Sequence, residues 1–163
     1  MTTNPTGTPL HVDFSNLQSA DTLTPVARAL WRCEVSYWTY LMEGDYDAYM
    51  ELWHPEFAGW PSACERPGGV EPVREIARHY IWMLSSRPEL ILRPYIITDG
   101  RHPTTFYRFE MLGNDPRGER LDHSGRILHV WEQEAGQWRI IVGASGVSWI
   151  APNAAKSSKG ETP

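Results

Sequence analysis

Glu34 is the residue in this chain best placed for acid/base chemistry. It lies in PVARALWRCEVSYWTYLMEG, residues 25–44. At 100° per residue, Leu30, Glu34, Tyr37, Trp38 and Leu41 fall within roughly a third of a helix circumference. Such a stripe packs on a core. A carboxylate in it costs free energy unless it is paired or faces a wet cavity. The helix is therefore expected to line a pocket as well as pack the fold, with Glu34 as the acid/base group of a small-molecule site. The competing reading gives Glu34 a structural hydrogen bond to a backbone amide or to Arg126.

Other chemistry-bearing patterns are missing. The sequence has no G-x-G-x-x-G, Walker A, H-E-x-x-H or C-x-x-C motif. Its six His are scattered, with no i,i+2 or i,i+4 pair, so neither a metal nor a cofactor is expected. Gly143-Ala144-Ser145-Gly146 resembles a nucleophile elbow but lacks the glycine required at 147. Cys33 and Cys64 are too few for a disulfide framework, and Cys33 reads as a small buried hydrophobe.

Composition narrows the partners. A net charge of −5 without any Lys/Arg run argues against nucleic acid. No apolar run approaches the length of a membrane span. The first residues carry neither a basic start nor an apolar signal core, so a cytoplasmic protein is expected. Aromatic residues make up 12% of the chain, enough to wall a pocket with rings as well as fill a core.

The elements that must position Glu34 follow from the punctuation. Residues 1–22 read as a loose, flexible arm and 151–163 as a disordered tail, leaving a folded body over 23–150. Thr24-Pro25 opens the first helix and Gly44 closes it. Asp45 caps a short second helix through DYDAYMELW, expected to bury Tyr49, Leu52 and Trp53. HPEFAGWPSACERPGG suits two short strands. Pro72 then opens a third helix with Val73, Ile76, Ala77, Tyr80 and Leu84 on one face and Trp82 opposite, toward solvent or a partner chain. After Pro88 the period becomes 2, and ELILRPYIIT, TTFYRFEML, GRILHVWEQ and QWRIIVGASGVSWI read as four strands. Three helices followed by a mostly antiparallel sheet make an α+β domain. A single curved sheet with the helices across its concave face would leave a conical cavity.

That order of elements resembles the nuclear-transport-factor-2-like superfamily of cone-shaped α+β barrels. The residues carrying the likeness are Glu34-x3-Trp38, Gly44-Asp45, Leu52-Trp53-His54-Pro55-Glu56-Phe57, Gly59-Trp60-Pro61 and the closing hairpin HVWEQEAGQWRIIVGASG with Trp138. It covers about residues 25–149. The resemblance implies a curved sheet wrapped around the helices, an internal pocket and a homodimer. It does not choose a function, because the scaffold hosts isomerases, dehydratases, hydrolases, cyclases and silent binding modules.

Carried over residue by residue, the resemblance puts Tyr37 where ketosteroid isomerases hold their oxyanion-hole tyrosine. The alternative makes Tyr37 an aromatic core residue. Trp60 occupies the position of their general base, and an indole cannot shuttle a proton. Their second acid falls near Leu128 or His129. An imidazole there is a candidate for proton transfer, or a hydrogen-bonded sheet histidine. The helix–strand junction SSRPEL lacks the histidine of scytalone dehydratases. Asp122-His123-Ser124-Gly125 reads as a turn or bulge rather than part of the relay of limonene epoxide hydrolase, although Arg126 lies near the right strand.

The resulting expectation is an enzyme without cofactor that transfers a proton on a hydrophobic organic substrate, as an isomerase, dehydratase, cyclase or epoxide hydrolase. Glu34, Tyr37 and His129 would be catalytic, and Trp38, Trp60, Arg126 and Trp131 would bind the substrate. The alternative is a non-catalytic ligand-binding or dimerisation module on the same cone.

Overall fold

Thr24 and Gly44 delimit the first helix as their chemistry dictates. The computed structural model describes residues 10–18 and 23–147. Helix α1 runs Pro25–Glu43, with the Thr24 hydroxyl accepting from the Ala27 N–H at 3.1 Å. It ends at Gly44, whose φ of 75° lets its N–H turn back onto the Leu41 and Tyr40 carbonyls. The predicted stripe is buried, together with Trp31 and Met42.

Helix α2, Tyr46–Glu51, is capped by Asp45 as expected. It buries Tyr49 and stops before Trp53, which instead begins strand β2. Helix α3, Val70–Leu84, starts two residues before Pro72, from Gly69. Proline is tolerated there because N–H groups in the first turn have no intrahelical acceptor. Trp82 is on the outer side, 37% exposed, with the Arg117 guanidinium stacked 4.8 Å from its ring centroid.

Six strands form one sheet in the order β1-β3-β4-β5-β6-β2. The four predicted strands are β3 Glu89–Thr98, β4 Thr104–Asn114, β5 Arg120–Glu134 and β6 Gln137–Val147, joined as antiparallel neighbours. The two-residue turn between β5 and β6 has positive φ at Ala135 (49°) and Gly136 (83°), the geometry that matches strand twist. Strand β2, Trp53–Trp60, lies parallel to β6. The two edges do not meet, so the sheet is curved but unclosed.

Three expectations need correcting. The segment read as two short strands supplies only β2 and an isolated bridge between Gly59 and Gly68. Pro61 and Pro67 lack the N–H that a longer ladder would need. Asp122-His123-Ser124-Gly125 is not a bulge but continues β5 in register with β4. Gly125 is needed because the Phe109 ring lies 2.6 Å from where a Cβ would sit.

The loose arm also contributes structure. Strand β1, Leu10–Val12, pairs in parallel with β3. Asp13 then caps a 3-10 turn over Phe14–Asn16 and forms an ion pair with Arg93. The folded body thus reaches back to Leu10. Residues 1–9 and the tail from 151 lie outside the described residues.

The core lies between helices and sheet. Leu30, Trp38 and Leu41 of α1, Leu84 of α3, and Leu90, Leu92, Met111 and Ile140 of the sheet are at most 1% exposed. Strand alternation sends Thr105, Tyr107, Phe109 and Met111 inward from β4, and Ile127, His129 and Trp131 inward from β5.

Candidate active site

Glu34 comes from the middle of α1 and has no exposed surface. Facing it across the core are Thr105 on β4 and His129 on β5, directly opposite each other in the sheet register. That pairing explains why both reach the same oxygen. Glu34 Oε1 accepts the Thr105 hydroxyl at 2.5 Å, and His129 Nδ1 lies 2.9 Å from it. The Thr105 oxygen in turn accepts the Trp131 indole N–H at 3.0 Å. Among the described residues, Glu34 Oε2 has no hydrogen-bond partner.

A cavity of about 50 Å³ borders this network. His129 forms part of its wall, with Tyr37, Trp38, Tyr49, Trp53 and Phe57. Glu34 does not reach it. With Nδ1 bound to the carboxylate, the opposite ring nitrogen is left for the cavity side. Gly143 sits across the sheet from His129, and a Cβ there would meet His129 Cδ2 at 3.0 Å and the Phe57 ring at 3.2 Å. Glycine at this position gives the imidazole its space.

The phenols are held neutral. Burial pushes Tyr37 well above the ordinary tyrosine value, and its centroid lies 5.5 Å from that of His129. Tyr49 is raised in the same way, with the neighbouring Tyr37 adding to the effect. Behind the network, Tyr107 accepts the Trp38 indole N–H at 3.0 Å. Burial and then the charge of Glu34 raise its pKa too. Burial, followed by the same carboxylate, lifts the Cys33 thiol to about 11.

The sequence-derived residues divide. Glu34, Tyr37, Trp38 and His129 converge. Trp131 joins the network but not the cavity wall, because its N–H is directed at Thr105. Trp60 is not a wall: it is 52% exposed and donates its indole N–H to the Cys64 carbonyl. Arg126 lies on the outer face of β5, opposite Gly146 and Arg108, since it has the opposite strand parity from His129. It reaches neither Glu34 nor the cavity. The missed residues are Thr105, Tyr49, Trp53 and Ser145. Thr105 carried a signal: it shares strand parity with Tyr107, Phe109 and Met111.

No protein-family model matches the chain, and no curated protein matches it. Solved structures do. A ketosteroid isomerase-like protein from Erwinia carotovora atroseptica superposes with a TM-score of 0.60 at 10% identity, covering 80% of this chain and 100% of that one. An NTF2-like protein from Cytophaga hutchinsonii gives 0.52 at 18% identity, over 77% and 100%. The association domain of C. elegans CaMKII gives 0.52 at 16%, over 73% and 93%. The fold is nuclear-transport-factor-2-like.

Trp60, which the sequence resemblance set at the position of the isomerases' base, is turned outward. The Glu34–His129 pair lies instead between α1 and the inner face of the sheet. Among the described residues, no group of three or more His, Cys, Asp or Glu side chains could hold a metal, and no helix is long and apolar enough to cross a membrane.

Proposed function

We propose that the protein is a small-molecule enzyme that moves a proton with its own side chains, His129 acting as base and Glu34 positioning it. The observation that carries this reading is the 2.9 Å contact between His129 Nδ1 and Glu34 Oε1, with His129 alone of the two on the cavity wall. A carboxylate holding Nδ1–H fixes the tautomer, leaves Nε2 with its lone pair free, and stabilises the imidazolium that forms on proton transfer.

Chemistry follows from the neighbours. A neutral substrate with an acidic C–H beside a carbonyl gives that proton to His129 Nε2. Negative charge then develops on the carbonyl oxygen, where the Tyr37 hydroxyl donates a hydrogen bond. The imidazolium returns the proton to another atom of the same molecule or to a leaving group, giving isomerisation, cyclisation or elimination. These outcomes share one base and differ only in the substrate.

The roles differ from those assigned to the residues on sequence grounds. His129 takes the proton, and Glu34, with no cavity surface, becomes a positioning residue. A second reading is favoured by the small free volume, about 50 Å³: a binding module in which rings fill most of the cone.

The test is deuterium exchange at the α-carbon of small ketones, followed by mass spectrometry in the wild type, His129→Gln and Glu34→Gln. Exchange lost in a folded His129→Gln supports the enzyme. Binding without exchange in the wild type favours the module.

A further inference from the structure

We infer that the cavity takes a small, uncharged molecule with two separated oxygen functions, a hydroxy ketone or diketone. This rests on the acid/base reading above and adds the substrate class.

Size is the first constraint. The free space of about 50 Å³ is on the order of four water molecules. The remaining cone volume is taken by rings in edge contact, with centroids 5.3 Å apart for Tyr37–Trp38, 4.9 Å for Tyr37–Tyr49 and 4.7 Å for Trp53–Phe57. Close-packed rings leave no room for a fused polycycle without large rearrangement.

Charge is the second. Among the described residues, no Lys, Arg, Asp or Glu lines the cavity. An ionised ligand would lose its hydration and find no counter-ion on the wall. Glu34 lies behind the wall, already paired with His129 and Thr105.

The third is a second polar pole. Ser145 lines the cavity on the same strand as Gly143, two residues further along. Two residues of strand span about 7 Å, and Gly143 lies opposite His129. The Ser145 oxygen accepts the Ser62 N–H at 2.9 Å. Its own hydroxyl points at Ser62 Oγ at 3.4 Å, too long for a strong bond. That proton is available to a ligand oxygen. One oxygen then meets Tyr37 and His129, the other meets Ser145, and the carbon chain between them lies against rings.

The experiment is a tryptophan-fluorescence titration of the full chain, since Trp38 and Trp53 line the cavity. The probes are 5-hydroxypentan-2-one, pentan-2-one, the anion 4-oxopentanoate and testosterone. The hydroxy ketone is expected to bind about tenfold more tightly than pentan-2-one, the effect of one good hydrogen bond. The anion and the steroid should bind at least as weakly as pentan-2-one. In Ser145→Ala, checked for folding by circular dichroism, the hydroxy ketone preference should fall to about one. Equal or tighter binding of the steroid or the anion than of the hydroxy ketone overturns the proposal. So does a preference that survives Ser145→Ala, or no binding of the hydroxy ketone to the wild type. Exchange retained in His129→Gln sinks the base assignment alone, so the two failures are distinguishable.

Discussion

His129 Nδ1 lies 2.9 Å from Glu34 Oε1, and the two groups meet from opposite layers of the fold, the carboxylate from α1 and the imidazole from β5. Because Oε1 also accepts from Thr105, the oxygen that orients the histidine is itself fixed from a third direction. The imidazole can turn only by breaking a buried, charge-assisted hydrogen bond.

Replacing Glu34 by Gln keeps the shape but removes the negative charge and turns one of the two acceptor oxygens into an amide donor, so Nδ1–H is no longer held by a carboxylate. The imidazole is then free to choose its tautomer. Exchange is expected to fall by about a hundredfold or more, and stability by about 1–3 kcal/mol. Mass spectrometry reads the first and urea unfolding the second. An unchanged rate would sink the positioning role.

Gly143→Ala should act on the same imidazole from the other side. The new methyl would press on His129 Cδ2 and the Phe57 ring, at 3.0 and 3.2 Å. Overpacking of this kind costs about 1–3 kcal/mol, and the displaced ring should lose activity beyond what reduced stability explains. Denaturant midpoints, together with the imidazole NMR shifts of His129, separate the two effects.

His123 makes stability depend on pH. Burial, then the neighbouring His79, lowers its pKa below the ordinary imidazole value. The folded state therefore binds fewer protons than the unfolded one. Stability is fully present above about pH 6.5 and falls as the pH drops toward the folded value. Urea midpoints for the wild type and His123→Gln between pH 7.5 and 5 should show a shallower slope in the variant. Identical slopes would remove His123 from the account.

At high pH the sign reverses. Burial raises Tyr37, Tyr49 and Tyr107 above the ordinary phenol value, so the folded state keeps protons that the unfolded state releases. Their contribution is intact below about pH 10 and is lost above it. The phenolate absorbance of these three should appear together with the loss of the circular dichroism signal. A smooth titration in the folded protein would contradict their burial.

Much of the fold is written in local chemistry. Thr24, Gly44 and Asp45 mark helix ends by the hydrogen bonds they supply, and period-2 runs mark the strands. The outcome was different where distant segments decide. Leu10–Val12 is too short and too polar in context to announce a strand, and it exists because β3 offers an open edge. The site was legible in part for the same reason. Glu34 stood out as a carboxylate among rings, yet its partners are set by the register that puts Thr105 beside His129. Trp60 and Arg126 were misplaced because residue type does not say which side of a strand faces the cavity. Parity counted from Tyr107 and His129 would have excluded Arg126.

The sheet carries early-sequence strands at both edges and late-sequence strands in its middle: β1 and β2 flank β3 through β6. Trp53 and Ala58–Trp60 pair along β6 with Ile140 and Val142–Ala144. During synthesis, then, most of the chain must leave the ribosome before β2 can pair with β6. Until that point its edge and the rings of Trp53 and Phe57 are open to other molecules. Chaperone engagement of the nascent chain should therefore persist until β6 emerges, and a release pause placed after β5 should increase aggregation.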